Sequence, residues 1–138
     1  MDFACQRSLA MNLLWSPWRM DYILGPKPDT CIFCLPPEDA GEDAARLVLK
    51  RGQHAFVVMN KYPYNNGHLM VVPYRHTCDF TSLDPETGLE CMNLIQLCVK
   101  VLGRFAAPDG VNLGMNLGKA AGAGVGEHLH WQVVPRWN

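Results

Sequence analysis

The run Gly122-Ala-Gly-Val-Gly-Glu-His128-Leu-His130-Trp-Gln132-Val-Val-Pro-Arg136 decides how this chain folds and where its chemistry sits. Successive side chains of a strand point to opposite faces, so His128, His130 and Gln132 are expected on one face and Leu129, Trp131 and Val133 on the other. A glycine-rich loop arrives just before them. The plain alternative is an edge strand with a solvated polar face; two histidines at a spacing of two, beside such a loop, weigh against it.

Upstream, Val111-Asn-Leu-Gly-Met-Asn-Leu-Gly118 reads as a strand carrying Asn112, Gly114 and Asn116 on one face or its edge. Before it comes a helix with Asp84 as N-cap, Pro85 at its first position and Glu86 near the positive dipole end. Leu89, Met92, Ile95, Cys98, Leu102 and Phe105 recur at steps of three or four and predict its core-facing stripe. Three more strands precede the helix: Arg46 to Lys50, His54 to Asn60 and Gly67 to Tyr74. Their links are too short for a parallel crossover, so an antiparallel meander is expected. His68 alternates with Met70 and Val72 and is read as a hydrogen-bonded structural residue. Leu14 to Ile23 predicts a short amphipathic helix that packs on the core or on a second subunit, the alternative being that Trp15 or Arg19 reaches a ligand. Residues 36 to 45 read as an exposed acidic linker. Residues 1 to 10 show no period and are read as a disordered extension or an upstream start, leaving 11 to 138 as one domain.

At 138 residues the chain can bury a real core but not two enzymatic lobes. Twelve Lys and Arg stand against 13 Asp and Glu, which argues against a nucleic-acid binder working through a broad basic surface. No apolar run approaches the roughly 20 residues that span a bilayer, and no signal peptide opens the chain, so the cytoplasm is the expected compartment and no membrane partner is expected. Cys5, Cys78, Cys91 and Cys98 are scattered and read as free thiols, mostly packing residues.

Cys31-Ile-Phe-Cys34 is different. A Cys-x-x-Cys knuckle lets two sulfurs converge on one metal, and zinc would need two more ligands, for which histidines are the candidates. A thioredoxin-type redox pair is the rival reading, but prolines crowd both sides of this motif. Cys31, Cys34, His76 and His128 would close a Cys2His2 tetrahedron with no open position, hence a structural zinc, and leave His130 free to react. Imidazole is a competent nucleophile toward phosphorus, and the amides around Gly122, Ala123 and Gly124 are candidates to cradle a phosphate.

His128-Leu-His130-Trp-Gln132-Val-Val, followed by Pro135-Arg136-Trp137, resembles the histidine-triad superfamily signature His-φ-His-φ-His-φ-φ, with Gln132 in the third histidine's place. The similarity runs back through Asn116, the helix from Pro85, the Asn60 to His76 stretch and the knuckle, so it covers about residues 14 to 137. It implies an α+β fold of the HIT type, with a five-stranded antiparallel sheet, a long helix and a short N-terminal helix, and a homodimer. It also implies attack on a nucleotide α-phosphate through a nucleotidyl-histidine intermediate. Carried over, the resemblance makes His130 the nucleophile. It puts His128 on zinc, as in the galactose-1-phosphate uridylyltransferase branch, and Gln132 on the phosphate. Asn60 and Asn116 would contact ribose or phosphate, and the base would lie near Phe33 and Phe56 to Met59. Two departures stand out: Gly122-Ala-Gly124-Val125 replaces the usual Gly-x-Ser-Val with one extra residue before His128, and the chain stops at Asn138.

A glutamine at the third position keeps a hydrogen-bond donor but cannot shuttle protons near neutral pH. A leaving group that is already a good anion tolerates this best. The Trp-Ser-Pro-Trp-Arg-Met and Asn-Lys-Tyr-Pro-Tyr-Asn-Asn-Gly-His runs also look like the diadenosine-tetraphosphate phosphorylase subgroup. The first expectation is therefore phosphate-driven nucleotidyl transfer from an adenine dinucleotide. The alternatives are a hydrolase of dinucleoside polyphosphates or nucleoside phosphoramidates, and a nucleotide-binding module with little turnover.

Overall fold

The computed structural model describes residues 16–26, 29–35 and 40–138; the expected extension at 1 to 10, Trp15 and the prolines at 36 and 37 lie outside the described residues. A short helix, α1 (Arg19–Leu24), precedes strands β1 (Val48–Arg51), β2 (Ala55–Met59) and β3 (Leu69–Pro73), the long helix α2 (Pro85–Phe105), then β4 (Gly110–Gly114) and β5 (Trp131–Arg136). The five strands form one sheet in the order β1-β2-β3-β5-β4, and every neighbouring pair is antiparallel. The expected α+β architecture is the one observed.

The sheet is covered on both faces, which is why β2 and β3 read as nearly unbroken apolar runs. Ala55, Val57, Leu69, Val71 and Val133 face α2, where they meet Cys91, Leu94, Ile95, Cys98 and Leu102. Phe56, Val58, Met70 and Val72 face the other way and pack with Val48 and with Phe33 and Leu35 of the knuckle. Asp84 caps α2 as expected, accepting from the Thr87 amide at 2.9 Å. The predicted stripe is only half right. Ile95, Cys98 and Leu102 are buried, but Leu89, Met92 and Phe105 are 64, 42 and 80% exposed, and Cys91 and Leu94 take their place inward. Of the thiols read as packing residues, Cys91 and Cys98 are buried while Cys78 is exposed. Part of the 36 to 45 linker forms a single 3-10 turn at Ala40–Glu42.

Gly67 sits at φ 75° before β3, a left-handed conformation that favours glycine, and a Cβ there would press on Leu102 at 3.3 Å. Glu90 of α2 locks the β1–β2 turn. Its carboxylate accepts from the Gln53, His54 and Ala55 amides at 2.9, 2.5 and 2.9 Å. Burial pushes this carboxyl up, but the three amide bonds together outweigh it and hold it below its usual value. A depressed acid contributes stability above its unfolded pKa of about 4.3 and loses it as pH falls through the lower folded value. Glu90→Gln is expected to cost about 1–3 kcal/mol at pH 7 and to flatten the acid limb of stability. Urea unfolding at pH 7 and pH 4 checks this; an unchanged pH slope would remove Glu90 from the account.

Candidate active site

The Cys31–Cys34 knuckle is one tight turn, with the Cys34 amide donating to the Cys31 carbonyl at 3.3 Å. Both sulfurs meet His76, just beyond β3, and His128, just before β5. One ligand atom from each of these four residues lies within 4.8 Å of the others, so the cluster could hold a metal ion. His76 Nδ1 stands 3.2 Å from Cys34 Sγ, and His128 Nδ1 stands 3.3 Å from Cys31 Sγ and 3.8 Å from Cys34 Sγ. Zinc bonds of about 2.3 Å to sulfur and 2.05 Å to nitrogen place tetrahedral S and N neighbours about 3.6 Å apart, within this spread. His128 Nε2 donates to the Pro73 carbonyl at 2.8 Å, which leaves Nδ1 unprotonated toward the sulfurs. Desolvation and the adjacent Cys31 push the Cys34 thiol up, the reverse of the low value a redox pair requires.

The hydrogen-bonded part of β5 starts at Trp131, not at His128 as the alternation predicted. Beyond Pro73 the chain of β3 turns away, and side-chain and loop bonds replace the ladder: His128 holds the Pro73 carbonyl and the Leu129 amide holds the Thr77 carbonyl at 2.9 Å. His128 consequently turns to the cysteine cluster, while His130 and Gln132 face a cavity of about 550 Å³.

His130 is 6% exposed. Its Nδ1 lies 2.9 Å from the His128 carbonyl, which can only accept, so Nδ1 carries the proton and Nε2 keeps its lone pair. Burial lowers its pKa below that of a free imidazole, so the ring is neutral at pH 7. Phe33 wedges between the two histidines, its ring centroid 4.9 Å from His130 and 5.8 Å from His128. Phe33, Phe56, Val58 and Met70 line the cavity with apolar surface, and Asn60 lines it as well. This size and lining suit a nucleoside-sized ligand.

The glycine-rich loop meets the cavity at Gly122, Gly124 and Val125, and Ala123 is not among the lining residues. The amides of Gly122 and Ala123 donate to the carbonyls of Lys119 and Gly118 at 3.0 and 3.2 Å. Two of the three expected phosphate donors thus close the turn itself. Asn116 lies past the end of β4, where its amide donates to the Gly122 carbonyl at 3.2 Å. It lines an adjoining groove of about 280 Å³ that shares Gln132 with the main cavity.

His68 was read as a hydrogen-bonded structural residue, and one of its ring nitrogens is bonded in that way. It is 1% exposed, and its Nδ1 accepts from the Tyr64 amide at 3.0 Å, so Nε2 carries the proton. That Nε2 is buried and has no hydrogen-bond partner among the described residues. Gln132 stands beside it, close enough to favour its protonated form but outside hydrogen-bonding geometry. Burial, then the charges of Arg19 and His130, push His68 down to about 4. Its ring stacks on Tyr64 at 5.2 Å, and the Arg19 guanidinium lies 3.9 Å from the other ring's centroid. Arg19 also donates to the Tyr62 carbonyl at 2.8 Å. Trp18 and Ser16 tie the start of α1 to Pro63 and Tyr64. The alternation that placed His68 beside Met70 was the available signal, because Met70 pairs with Gln132.

A family model described as the HIT domain matches residues 41–138. A curated relative from Mycobacterium tuberculosis (strain CDC 1551 / Oshkosh), named AP-4-A phosphorylase, is 40% identical over 134 residues, covering 92% of this chain and 69% of that protein. An uncharacterized 16.1 kDa HIT-like protein from Mycoplasma pneumoniae is 31% identical over 111 residues, 79% of this chain and 73% of its own length. Among solved structures, a Zn-bound histidine triad family protein from Mycobacterium smegmatis matches with a TM-score of 0.64 at 28% identity, covering 79% of this chain and 76% of that one. A HIT family protein from Bacillus anthracis matches in fold with a TM-score of 0.66 at 24% identity, covering 81% and 77%.

Proposed function

The chain belongs to the HIT domain family, and from that premise we propose that it is a nucleotide-processing enzyme, a phosphorylase that transfers the adenylyl group of diadenosine tetraphosphate through His130 to inorganic phosphate. The observation that carries this reading is the His130 imidazole, neutral, buried and locked by the His128 carbonyl with Nε2 left for attack at the cavity. Nε2 attacks the α-phosphorus, the bond to the bridging oxygen breaks, and its electron pair leaves on ATP. A phosphate oxygen then attacks the same phosphorus, the P–N bond breaks, and ADP departs. Gln132 donates to a nonbridging oxygen and takes no proton, which suits a leaving group that needs none. The relative's name and the identity to it support diadenosine tetraphosphate as the substrate.

Cys31, Cys34, His76 and His128 would hold zinc, which when bound supplies rigidity rather than a Lewis acid, because no coordination position is left open. His128 then connects the metal to the reacting strand: its ring is tied to the cluster and its carbonyl sets the His130 tautomer.

A homodimer formed across the outer face of α2 and the edge strand β4 is part of the same reading. Leu89, Met92, Leu97 and Val101 are all at least 39% exposed on α2, and Leu113 is 52% exposed on the edge strand. Sedimentation equilibrium is expected to give twice the chain mass, and a monomer at micromolar concentration would remove this part.

Incubation with diadenosine tetraphosphate, with and without phosphate, tests the reaction. Phosphate-dependent ADP plus ATP is expected. Water-driven release of AMP would make the chain a hydrolase, and tight binding without products would make it a binding module.

A further inference from the structure

We propose that the groove lined by Tyr64, Asn112, Asn116, Gln132 and Arg136 seats the anionic leaving group, a nucleoside polyphosphate, and afterwards the attacking phosphate, with Arg136 as its cation. This rests on the reaction proposed above. Gln132 and Tyr64 line both hollows, so a phosphate at Gln132 has the nucleoside cavity and His130 on one side and the groove on the other. Leaving and attacking oxygens occupy the same in-line position opposite Nε2, so one seat serves both.

Strand geometry sets the reach. Gln132, Val134 and Arg136 share a face of β5, and their neighbours Gly114, Asn112 and Gly110 on β4 share it too. Arg136 therefore lies about 13 Å along the strand from Gln132, a distance that the phosphates beyond the α-position can span with the help of a long side chain.

Charge points the same way. The His68 imidazole, pushed down to about 4 by burial, offers a departing polyphosphate no cation. Arg46, on the main cavity wall, is already paired with Glu42 at 2.8 Å. Arg136 has no carboxylate within ion-pair distance among the described residues. What orients it is neutral: its Nη1 donates to Asn112 Oδ1 at 3.4 Å, which aims the guanidinium without spending its charge. Asn116 and Gln132 add amide donors beside it.

Two variants test the seat. Arg136→Gln removes the cation, and Asn112→Asp neutralises it while leaving the arginine in place. With diadenosine tetraphosphate both are expected to lower kcat/KM by roughly 10- to 100-fold and to raise KM for phosphate. The nitrophenolate burst from the 4-nitrophenyl ester of AMP, whose leaving group is no polyphosphate, should stay within about twofold of wild type, and Arg136→Lys should recover most of the loss. Equal losses on both substrates, or none on either, would overturn the assignment. Calorimetric titration with inorganic tripolyphosphate separates this seat from the reaction. If no phosphorylase activity is found but tripolyphosphate binds wild type at least 10-fold tighter than Arg136→Gln, the reaction fails and the seat stands. Equal binding, or none, overturns the seat.

Discussion

His130→Asn is expected to abolish turnover of diadenosine tetraphosphate, with kcat falling by 10⁴-fold or more, the order lost when a covalent nucleophile is removed. Asparagine is chosen because its amide can still donate to the His128 carbonyl, as Nδ1 of His130 does at 2.9 Å, while the atom corresponding to Nε2 is gone. Packing against Phe33 loosens, but nucleotide affinity should change by less than about tenfold, since the apolar wall and Asn60 remain. Rapid-quench assays and nucleotide titration check the two halves. Turnover above a hundredth of wild type would take the nucleophile away from His130. The wild-type pH profile gives a second check. Burial disfavours the imidazolium, so Nε2 stays unprotonated down to a pH below the ordinary histidine value of about 6.5, and activity is lost only as pH falls through that lowered value. An acid limb at or above 6.5 would contradict the buried, neutral nucleophile.

Cys31→Ser is expected to strip the metal and to cost both stability and activity. Elemental analysis should give about one zinc per wild-type chain and none in the variant. A ligand present at a thousand times its Kd contributes about 4 kcal/mol to the folded state, so removal should lower Tm by roughly 10–15 °C. Activity should drop as well, because His128 is held on one side by the Pro73 carbonyl and on the other by the cluster, and its own carbonyl fixes His130. Chelation of wild type should reproduce the Tm shift and zinc addition should reverse it. A variant that retains zinc, or that loses zinc with an unchanged Tm, would leave the cluster without the role assigned to it.

Much of this site is legible because its signals are local. The Cys31–Cys34 spacing makes one turn, Asp84 and Pro85 start α2, and the apolar runs of β2 and β3 are long enough for a strand covered on both faces. The long helix shows where local reading stops. Apolar residues occupy Leu89, Cys91, Met92, Leu94, Ile95, Leu97, Cys98, Val99, Val101 and Leu102, so several stripes have the right period. A period of 3.6 ranks them by hydrophobicity and picks Leu89, Met92 and Phe105, but the sheet underneath chooses Cys91 and Leu94. His68 illustrates the same limit. Alternation places it on the face of Met70, but the Tyr64 amide that fixes its tautomer and the neighbouring Gln132 reach it only through the tertiary fold.

The two neighbouring histidines make the division plain. Their identity, their spacing and the knuckle 94 residues or more away are properties of the sequence, and with the ligand count they already set His128, expected beside the cysteines, apart from His130, the proposed nucleophile. What only the tertiary structure decided is how that separation is enforced and how far the site extends. The Pro73 carbonyl captures His128 Nε2, the His128 carbonyl captures His130 Nδ1, and the pairing of β4 with β5 sets Asn112 beside Arg136. A hydrogen bond to a distant carbonyl fixes a tautomer, and strand register fixes which side chains face one another. Neither depends on local residue type, so both come into being only when the sheet closes.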